Sequence, residues 1–397
     1  MARFLPTIRR AAVLFSGLDS WRALRHGRGC DASPKLPAPY PEVVPVTSSA
    51  IQIGNRSIGP DHPPLVIAEM SGNHNQSLDR ALAIVDAAAE AGVHALKLQT
   101  YTADSITLDV RGGDFEIRDQ GSLWAGQNLH DLYAKAHTPW DWHGVIMERA
   151  RERGMLCFSS PFDESAVDFL EQLDVPAYKI ASFENNHLPL IRKAAATGKP
   201  LIISTGMASL GELEQAVAAA REAGCRDLVL LKCTSTYPAT PANTNIRTIP
   251  HLRELFGCQV GLSDHTMGVG AAVASVALGA TVIEKHFTLS RAEGGVDSAF
   301  SLEPQELASL VQESERAWQA LGEVLYGPTE SERKSLVFRR SIYVAADIAE
   351  GEAFTAENLR IVRPGSGAPP HLLETVLGKR ARRQYAKGEP LSLEGLI

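Results

Sequence analysis

Between residues 65 and 286 the chain repeats one pattern eight times: a short apolar run, a polar tip, then a stretch with helical spacing. The apolar runs are 65–68, 95–98, 156–158, 177–180, 201–203, 228–231, 259–262 and 282–283. Helical stretches such as 78–91, 212–223 and 269–278 lie between them. Short runs without polar alternation are buried on both faces, and alternation with helices specifies a parallel sheet. Eight such units over about 270 residues fit a closed (β/α)8 TIM barrel better than an open sheet. The insert 104–138, rich in Gly, Asp and aromatics, is expected to be a loop over the barrel mouth.

In a barrel of this kind the strand C-termini share one rim, and active sites are assembled there. The tips carry Glu69; Lys97 and Gln99; Ser159 and Ser160; Lys179, Ser182 and Glu184; Ser204 and Thr205; Lys232, Thr234, Ser235 and Tyr237; Ser263, Asp264 and His265; Glu284, Lys285 and His286. Structural ion pairs account for one or two polar strand ends, not for eight.

His265 and His286 fall on the seventh and eighth runs. Two neutral imidazoles on neighbouring strands, with Glu284 close by, suit a divalent ion with open positions. His74, in the stretch 72–75, is also expected to face the mouth, and the other nine histidines read as ordinary loop or helix residues. Lys97 and Lys179 each end an apolar run and would point an ammonium into the mouth. With hydroxyls from Ser160, Ser182 and Ser263 and backbone N–H groups at helix starts, they suit a phosphate plus a carboxylate. A Schiff-base aldolase using one lysine competes, since a second nearby cation lowers a lysine pKa. The imidazole pair favours the metal reading.

The flanks are different. Residues 51–53 and 56–58 bracket Gly54-Asn55 and read as a β-hairpin. A helix over 304–321 closes a barrel domain of 49–326, and 327–335 reads as a linker. Residues 336–397 form a second unit of short strands and turns, with nine Lys/Arg against seven Asp/Glu. About sixty residues make a marginal core, so this unit is expected to pack on another surface. Residues 1–48 carry seven basic and three acidic side chains, with five prolines between Pro34 and Pro45, and read as a disordered leader. The apolar stretch 11–18 is short for a signal peptide.

A net charge of −7 gives no bias toward nucleic acid, and the basic string 379–383 reads as solvated surface. No apolar run approaches the ~20 residues of a membrane span. Five cysteines without a C-x-x-C pair argue against a disulfide framework or a cysteine zinc site, and for the reducing cytoplasm. There is no P-loop or dinucleotide fingerprint.

Eight ordered stretches carry a resemblance: IAEMSGNHNQS (67–77), ALKLQTYTADS (95–105), FSSPFDESAVDFL (158–170), VPAYKIASFE (175–184), LIISTGM (201–207), KCTSTYP (232–238), VGLSDHTMG (260–268) and EKHFTLSR (284–291). They resemble the N-acetylneuraminate (sialic acid) synthase family, and within it look most like the pseudaminic acid branch. The likeness spans about 51–397, and the C-terminal unit is similar to the antifreeze-like SAF domain of those enzymes. It implies a homodimer in which the small domains are swapped, each capping the partner's site.

The resemblance also implies roles. His265 and His286 match metal ligands, usually for manganese, with magnesium or cobalt as substitutes. Lys97, Lys179, Ser160, Ser182, Ser235 and Ser263 match positions around phosphoenolpyruvate. Glu69, Gln99, Glu184, Tyr237 and Asp297 match positions around an N-acetylated amino sugar. Arg363, in RPGSG (363–367), matches an arginine that reaches the sugar from the other protomer. Glu69 is the first acid/base candidate and Glu184 the second, with Lys97 and Lys179 as catalytic cations. The implied reaction joins phosphoenolpyruvate to 2,4-diacetamido-2,4,6-trideoxy-altrose, giving pseudaminic acid and phosphate. N-acetylneuraminate or legionaminic acid synthesis is the near alternative, and a non-catalytic sugar-binding protein the distant one. Two departures stand out: Ser160 and Ser235 occupy positions where Thr and Asn are frequent, and no aromatic follows Arg363.

Overall fold

The computed structural model describes residues 50–392 and 394, so the expectation of a leader over 1–48 lies outside the described residues. Strands β1 (Ile51–Ile53) and β2 (Arg56–Ile58) form the hairpin expected around Gly54-Asn55. Eight further strands follow: β3 (Leu65–Glu69), β4 (Ala95–Thr100), β5 (Leu156–Pro161), β6 (Tyr178–Ile180), β7 (Leu201–Ser204), β8 (Leu228–Cys233), β9 (Gln259–Ser263) and β10 (Val282–His286). They pair in parallel and in chain order, and β10 closes on β3, giving the TIM-type barrel.

Helices α1 (Leu78–Glu90), α2 (Ala103–Ile106), α3 (Leu129–Ala136), α4 (Trp140–Glu152), α5 (Glu164–Gln172), α6 (Leu188–Ala195), α7 (Leu210–Glu222), α8 (Thr248–Phe256), α9 (Gly270–Ala277) and α10 (Pro304–Leu321) connect the strands or follow the last of them. Local chemistry sets several starts. The Ser77 hydroxyl accepts from Arg80 N before α1, the Asp163 carboxylate accepts from Ser165 N and Ala166 N before α5, and Ser209 forms a capping box with Glu212 before α7. The longer barrel helices lay an apolar face on the core; in α1 Ala81, Ile84, Val85 and Ala88 are buried at helical spacing.

Several strands run past their apolar stretch into the polar tip: β4 reaches Thr100, β5 Pro161, β8 Cys233 and β10 His286. The backbone ladder continues regardless of side chain, so the polar groups are held on rigid strand rather than loop. Gly261 is required on β9: a Cβ there would run into the Val282 carbonyl oxygen of β10 and lie 2.7 Å from Leu231 Cδ2 of β8. The 104–138 insert differs from the expected loop. It carries α3, because Asn128 caps it through His130 N and the buried Leu132 and Ala136 give it an apolar face.

The C-terminal unit has its own core of Ile342, Val344, Ile348, Phe354, Leu359, Val376, Tyr385 and Leu391. Its short strands β11 (Ser341–Val344) and β12 (Leu359–Val362) pair antiparallel.

Candidate active site

A cavity of about 390 Å³ opens at the C-terminal ends of the barrel strands. Of the residues singled out from sequence, Glu69, Lys97, Gln99, Lys179, Ser182, Glu184, Ser235, Tyr237, Ser263, His265, His286 and Asp297 line it. Ser160 does not; it is fully buried below the wall and accepts a hydrogen bond from Lys97 Nζ at 3.3 Å. Arg363 is exposed on the C-terminal unit and does not line the cavity of its own chain.

The floor is a charge network centred on Glu284. Lys97 Nζ and Lys179 Nζ each lie 3.6 Å from Glu284 Oε1, although they stand on β4 and β6. Ser263 donates to the same oxygen at 3.1 Å. Lys97 is also 2.8 Å from Glu69 Oε1, which accepts from Gln99 Nε2 at 2.8 Å. Lys179 instead donates to Ser204 Oγ at 2.6 Å. The unequal shares set the protonation. Burial disfavours both ammoniums, but Glu284 and Glu69 together raise Lys97 above its usual range. For Lys179 burial wins, with Lys97 adding to it, and the pKa falls despite Glu284. Burial alone would raise Glu69, but His286, Lys97 and Lys179 hold it well below the usual carboxylate range. For Glu184 burial wins and pushes it up to about 7, although its own backbone N–H, Lys179 and Lys97 oppose the rise. Burial also raises Asp297, to about 6, although the Ser71 hydroxyl donates to it.

Across from the ammoniums, the rings of His265 and His286 lie 5.3 Å apart, centroid to centroid. His265 Nδ1 donates to the Thr234 carbonyl at 3.0 Å, which leaves its Nε2 as a lone-pair donor. His286 Nδ1 is buried without a hydrogen-bond partner, and its Nε2 is 3.3 Å from Glu69 Oε2. Burial, with His265 and Lys97 adding to it, pushes His286 down to about 4, so the imidazole is neutral at pH 7. His286 is thus in the neutral form that binds metal; burial would lower His265 too, but Cys233 and the Thr234 carbonyl raise that ring above its usual range, so a metal bound there displaces a proton. Among the described residues no set of three His, Cys, Asp or Glu converges as a complete ligand cage. This donor pair therefore fits an ion that fills its other positions with water or substrate oxygens.

Some tip residues turn elsewhere. Side chains alternate along a strand, so Glu284 and His286 face the cavity while Lys285 between them faces away. It pairs with Asp264 at 2.8 Å and donates to Gly268 O at 2.9 Å. His74 does not face the mouth as expected; the turn Ser71–His74 tucks it under, hydrogen-bonded to Thr138 Oγ1 at 3.2 Å and edge-on to Trp142. Cys233 also lines the cavity. Burial would raise its thiol, yet His265 beside it brings it down to about 7.

Sequence reasoning missed Ser71, Tyr101 and the apolar wall supplied by Ile106, Ile117, Trp124, Leu129, Leu132 and Tyr133. Ser204 and Glu284 stood on polar tips and could have been chosen. The wall residues carried no chemical signal.

The family profile described as NeuB family matches residues 84–326, and that described as SAF domain matches 339–397. The pseudaminic acid synthase of Campylobacter jejuni subsp. jejuni serotype O:2 is 45% identical over 341 residues, 86% of this chain and 98% of that protein. The pseudaminic acid synthase of Helicobacter pylori is 41% identical over 336 residues, 84% of this chain and 98% of that one. Among solved structures, the N-acetylneuraminic acid (sialic acid) synthetase of Leptospira borgpetersenii serovar Hardjo-bovis, in complex with citrate, superposes with a TM-score of 0.64 at 33% identity, covering 72% of this chain and 95% of that one. With both profiles matched in order and relatives aligned over nearly their whole length, this chain belongs to the NeuB family and carries a C-terminal SAF domain.

Proposed function

We propose that the chain condenses phosphoenolpyruvate with 2,4-diacetamido-2,4,6-trideoxy-altrose to give pseudaminic acid and inorganic phosphate. The observation that carries this reading is the pair of buried ammoniums on Glu284 facing two imidazoles, in a chain 45% identical to a pseudaminic acid synthase. Lys97 and Lys179 offset the charge of the near-trianionic phosphoenolpyruvate, helped by the hydroxyls of Ser182, Ser235 and Ser263. Preorganised cations of this kind are worth on the order of a few kcal/mol. Gln99, Tyr237 and Asp297 are positioned for the sugar.

His265 and His286 would hold a divalent ion, manganese first and magnesium or cobalt as substitutes, which when bound supplies Lewis acidity for the sugar aldehyde. C3 of phosphoenolpyruvate forms the new bond to the aldehyde carbon, and C2 becomes an oxocarbenium. Water adds at C2, and the tetrahedral intermediate breaks its C2–O bond to expel phosphate beside the two lysines. Glu69, held ionised, is a weak base but a strong local stabiliser of positive charge at C2. Glu184, at about 7, can give or take a proton near neutral pH. This division supports Glu184 over Glu69 for proton transfer.

The barrel domain 49–326, linker 327–335 and SAF domain 336–397 fit a homodimer in which the partner's Arg363 completes the sugar site; the exposure of Arg363 supports this. A cytoplasmic enzyme fits the free, buried cysteines Cys157, Cys225, Cys233 and Cys258. Among the described residues no helix is long and apolar enough to cross a membrane.

The test is phosphate release from phosphoenolpyruvate with a panel of N-acetylated amino sugars, with and without manganese. Release that requires both the diacetamido trideoxy sugar and the metal supports the reading. Release with no sugar in the panel, or EDTA-insensitive activity with borohydride trapping of pyruvate on Lys97 or Lys179, overturns it.

A further inference from the structure

The cavity has two faces of opposite chemistry. The strand tips give a charged floor, whereas the wall of Ile106, Ile117, Trp124, Leu132 and Tyr133 comes from the 104–138 insert and meets Val296. None of these six side chains carries charge. Trp124 is fixed in that wall: its indole N–H donates to Val296 O at 3.1 Å, and its ring lies 6.0 Å from Tyr237. The Tyr237 ring is in turn 4.6 Å from His265, so Trp124 is one aromatic layer from the imidazole pair. Behind Trp124, Leu132 and Val296 lies a second cavity, of about 620 Å³, which these three residues also line. Its other walls include Asn75, Gln76, Gln127 and Lys135. Trp124 is thus a wall shared by the two cavities, flanked in the second by Leu123, Leu132, Val296 and Ala299.

We propose that this insert wall reads the methyl-bearing end of the acceptor sugar, with Trp124 as a specificity-determining residue that rejects hydroxylated tails. The inference rests on the function proposed above and adds how the acceptor is chosen. A trideoxy diacetamido sugar presents a C6 methyl and two acetyl methyls, all of which gain from apolar contact. A hydroxylated tail, such as that of N-acetylmannosamine, would bury hydroxyls where the wall offers few partners, and buried hydroxyls without partners are costly. Removing the indole takes away apolar surface shared by both cavities and opens the first toward the second, so a hydroxylated tail need no longer be buried against hydrocarbon.

The experiment compares kcat/KM for the diacetamido trideoxy sugar and for N-acetylmannosamine in the wild type, Trp124→Ala, Trp124→Phe and Ile117→Ser, with KM for phosphoenolpyruvate measured in each. Trp124→Ala is expected to lower the selectivity ratio by roughly tenfold or more, and Ile117→Ser to lower it in the same direction. Trp124→Phe, which keeps an apolar ring, is expected to retain most of the ratio. In all three, KM for phosphoenolpyruvate should stay within about twofold of wild type, because the floor is untouched. An unchanged ratio in Trp124→Ala and Ile117→Ser, with a wild type that still prefers the trideoxy sugar, overturns the inference alone. A wild type that releases phosphate with neither sugar overturns the proposed function, and this inference with it.

Discussion

Asp264 and Lys285 form a 2.8 Å salt bridge in which neither side chain reaches solvent. Asp264 sits between Ser263 and His265, and Lys285 between Glu284 and His286, so the pair lies behind the two strand ends that carry the imidazoles. Asp264 N also donates to Glu284 O at 2.9 Å, which extends the β9–β10 ladder to this point. The bridge therefore fixes the spacing of His265 and His286 from the side that never meets substrate.

Breaking one partner of such a pair leaves an uncompensated buried charge. Lys285→Met is expected to destabilise the fold by about 3–5 kcal/mol in denaturant unfolding. Combining it with Asp264→Leu should recover much of that loss, since the orphaned charge is then gone as well. A single substitution that costs nothing would show the bridge to be ornamental.

The floor makes a sharper demand on Lys179. Its removal leaves Lys97 to neutralise Glu284, so Lys179→Ala should remain folded while losing one of the two cations for phosphoenolpyruvate. Turnover is expected to fall by about 10³-fold or more, as for loss of a preorganised charge-stabilising donor. Substantial phosphate release by this variant at saturating phosphoenolpyruvate would refute the role.

Much of this arrangement was legible because strand position is a strong constraint. A parallel barrel sends every strand's C-terminal end to one rim, so Lys97 on β4 and His286 on β10 could be placed together from chain order alone. What escaped depended on the parity of side chains and on packing. One residue's shift along β10 separates His286, in the cavity, from Lys285, in a structural pair. His74 was placed by a tight turn after β3 rather than by the strand itself, and that turn buried it. Trp124 and its neighbours are apolar, and an apolar residue that lines a cavity looks in sequence like one that fills a core. Arg363 was legible only through resemblance, since in its own chain it is exposed and away from the cavity.

Glu184 sets a pH dependence with a defined sign. Burial raises its carboxyl from 4.5 to about 7, so the folded state favours the protonated form. Its stabilising contribution is complete below pH 4.5 and disappears as pH rises through 7. Glu184→Gln stays neutral throughout and escapes that loss. Its stability relative to wild type should rise between pH 5 and 8 by on the order of 3 kcal/mol. If Glu184 also delivers the proton, wild-type kcat falls on the alkaline side of pH 7, and the Gln variant is slow with a flattened profile. Parallel pH curves for the two proteins, in both unfolding and turnover, would exclude the assignment.

Metal binding can be read without turnover. Manganese titration followed by electron paramagnetic resonance should give one site per chain in the wild type. His286→Ala should weaken it by at least about 100-fold, more than the loss expected from a residue that only orients a ligand. The same titration on His74→Ala should be unchanged, because His74 is bonded to Thr138 away from the cavity. Unaltered manganese affinity in His286→Ala would move the ion elsewhere.

Two glycines give opposite outcomes for the same substitution. Gly261 lies on β9 between β8 and β10, and an added Cβ would meet the Val282 carbonyl oxygen and, at 2.7 Å, Leu231 Cδ2. Backbone cannot yield there without parting β9 from β10, the two strands that lead to His265 and His286. Gly261→Ala is therefore expected to cost more than about 4 kcal/mol or to abolish soluble protein, at the far end of single-substitution effects. Gly211 is in α7, where a Cβ would meet nothing within 4 Å. Gly211→Ala restricts the unfolded chain and suits a helix, so it should stabilise by about 0.5–1 kcal/mol. Thermal unfolding of the two variants side by side tests the barrel register directly: if Gly261→Ala melts like wild type, β9 and β10 do not approach as closely as the register of Gly261 opposite Val282 requires.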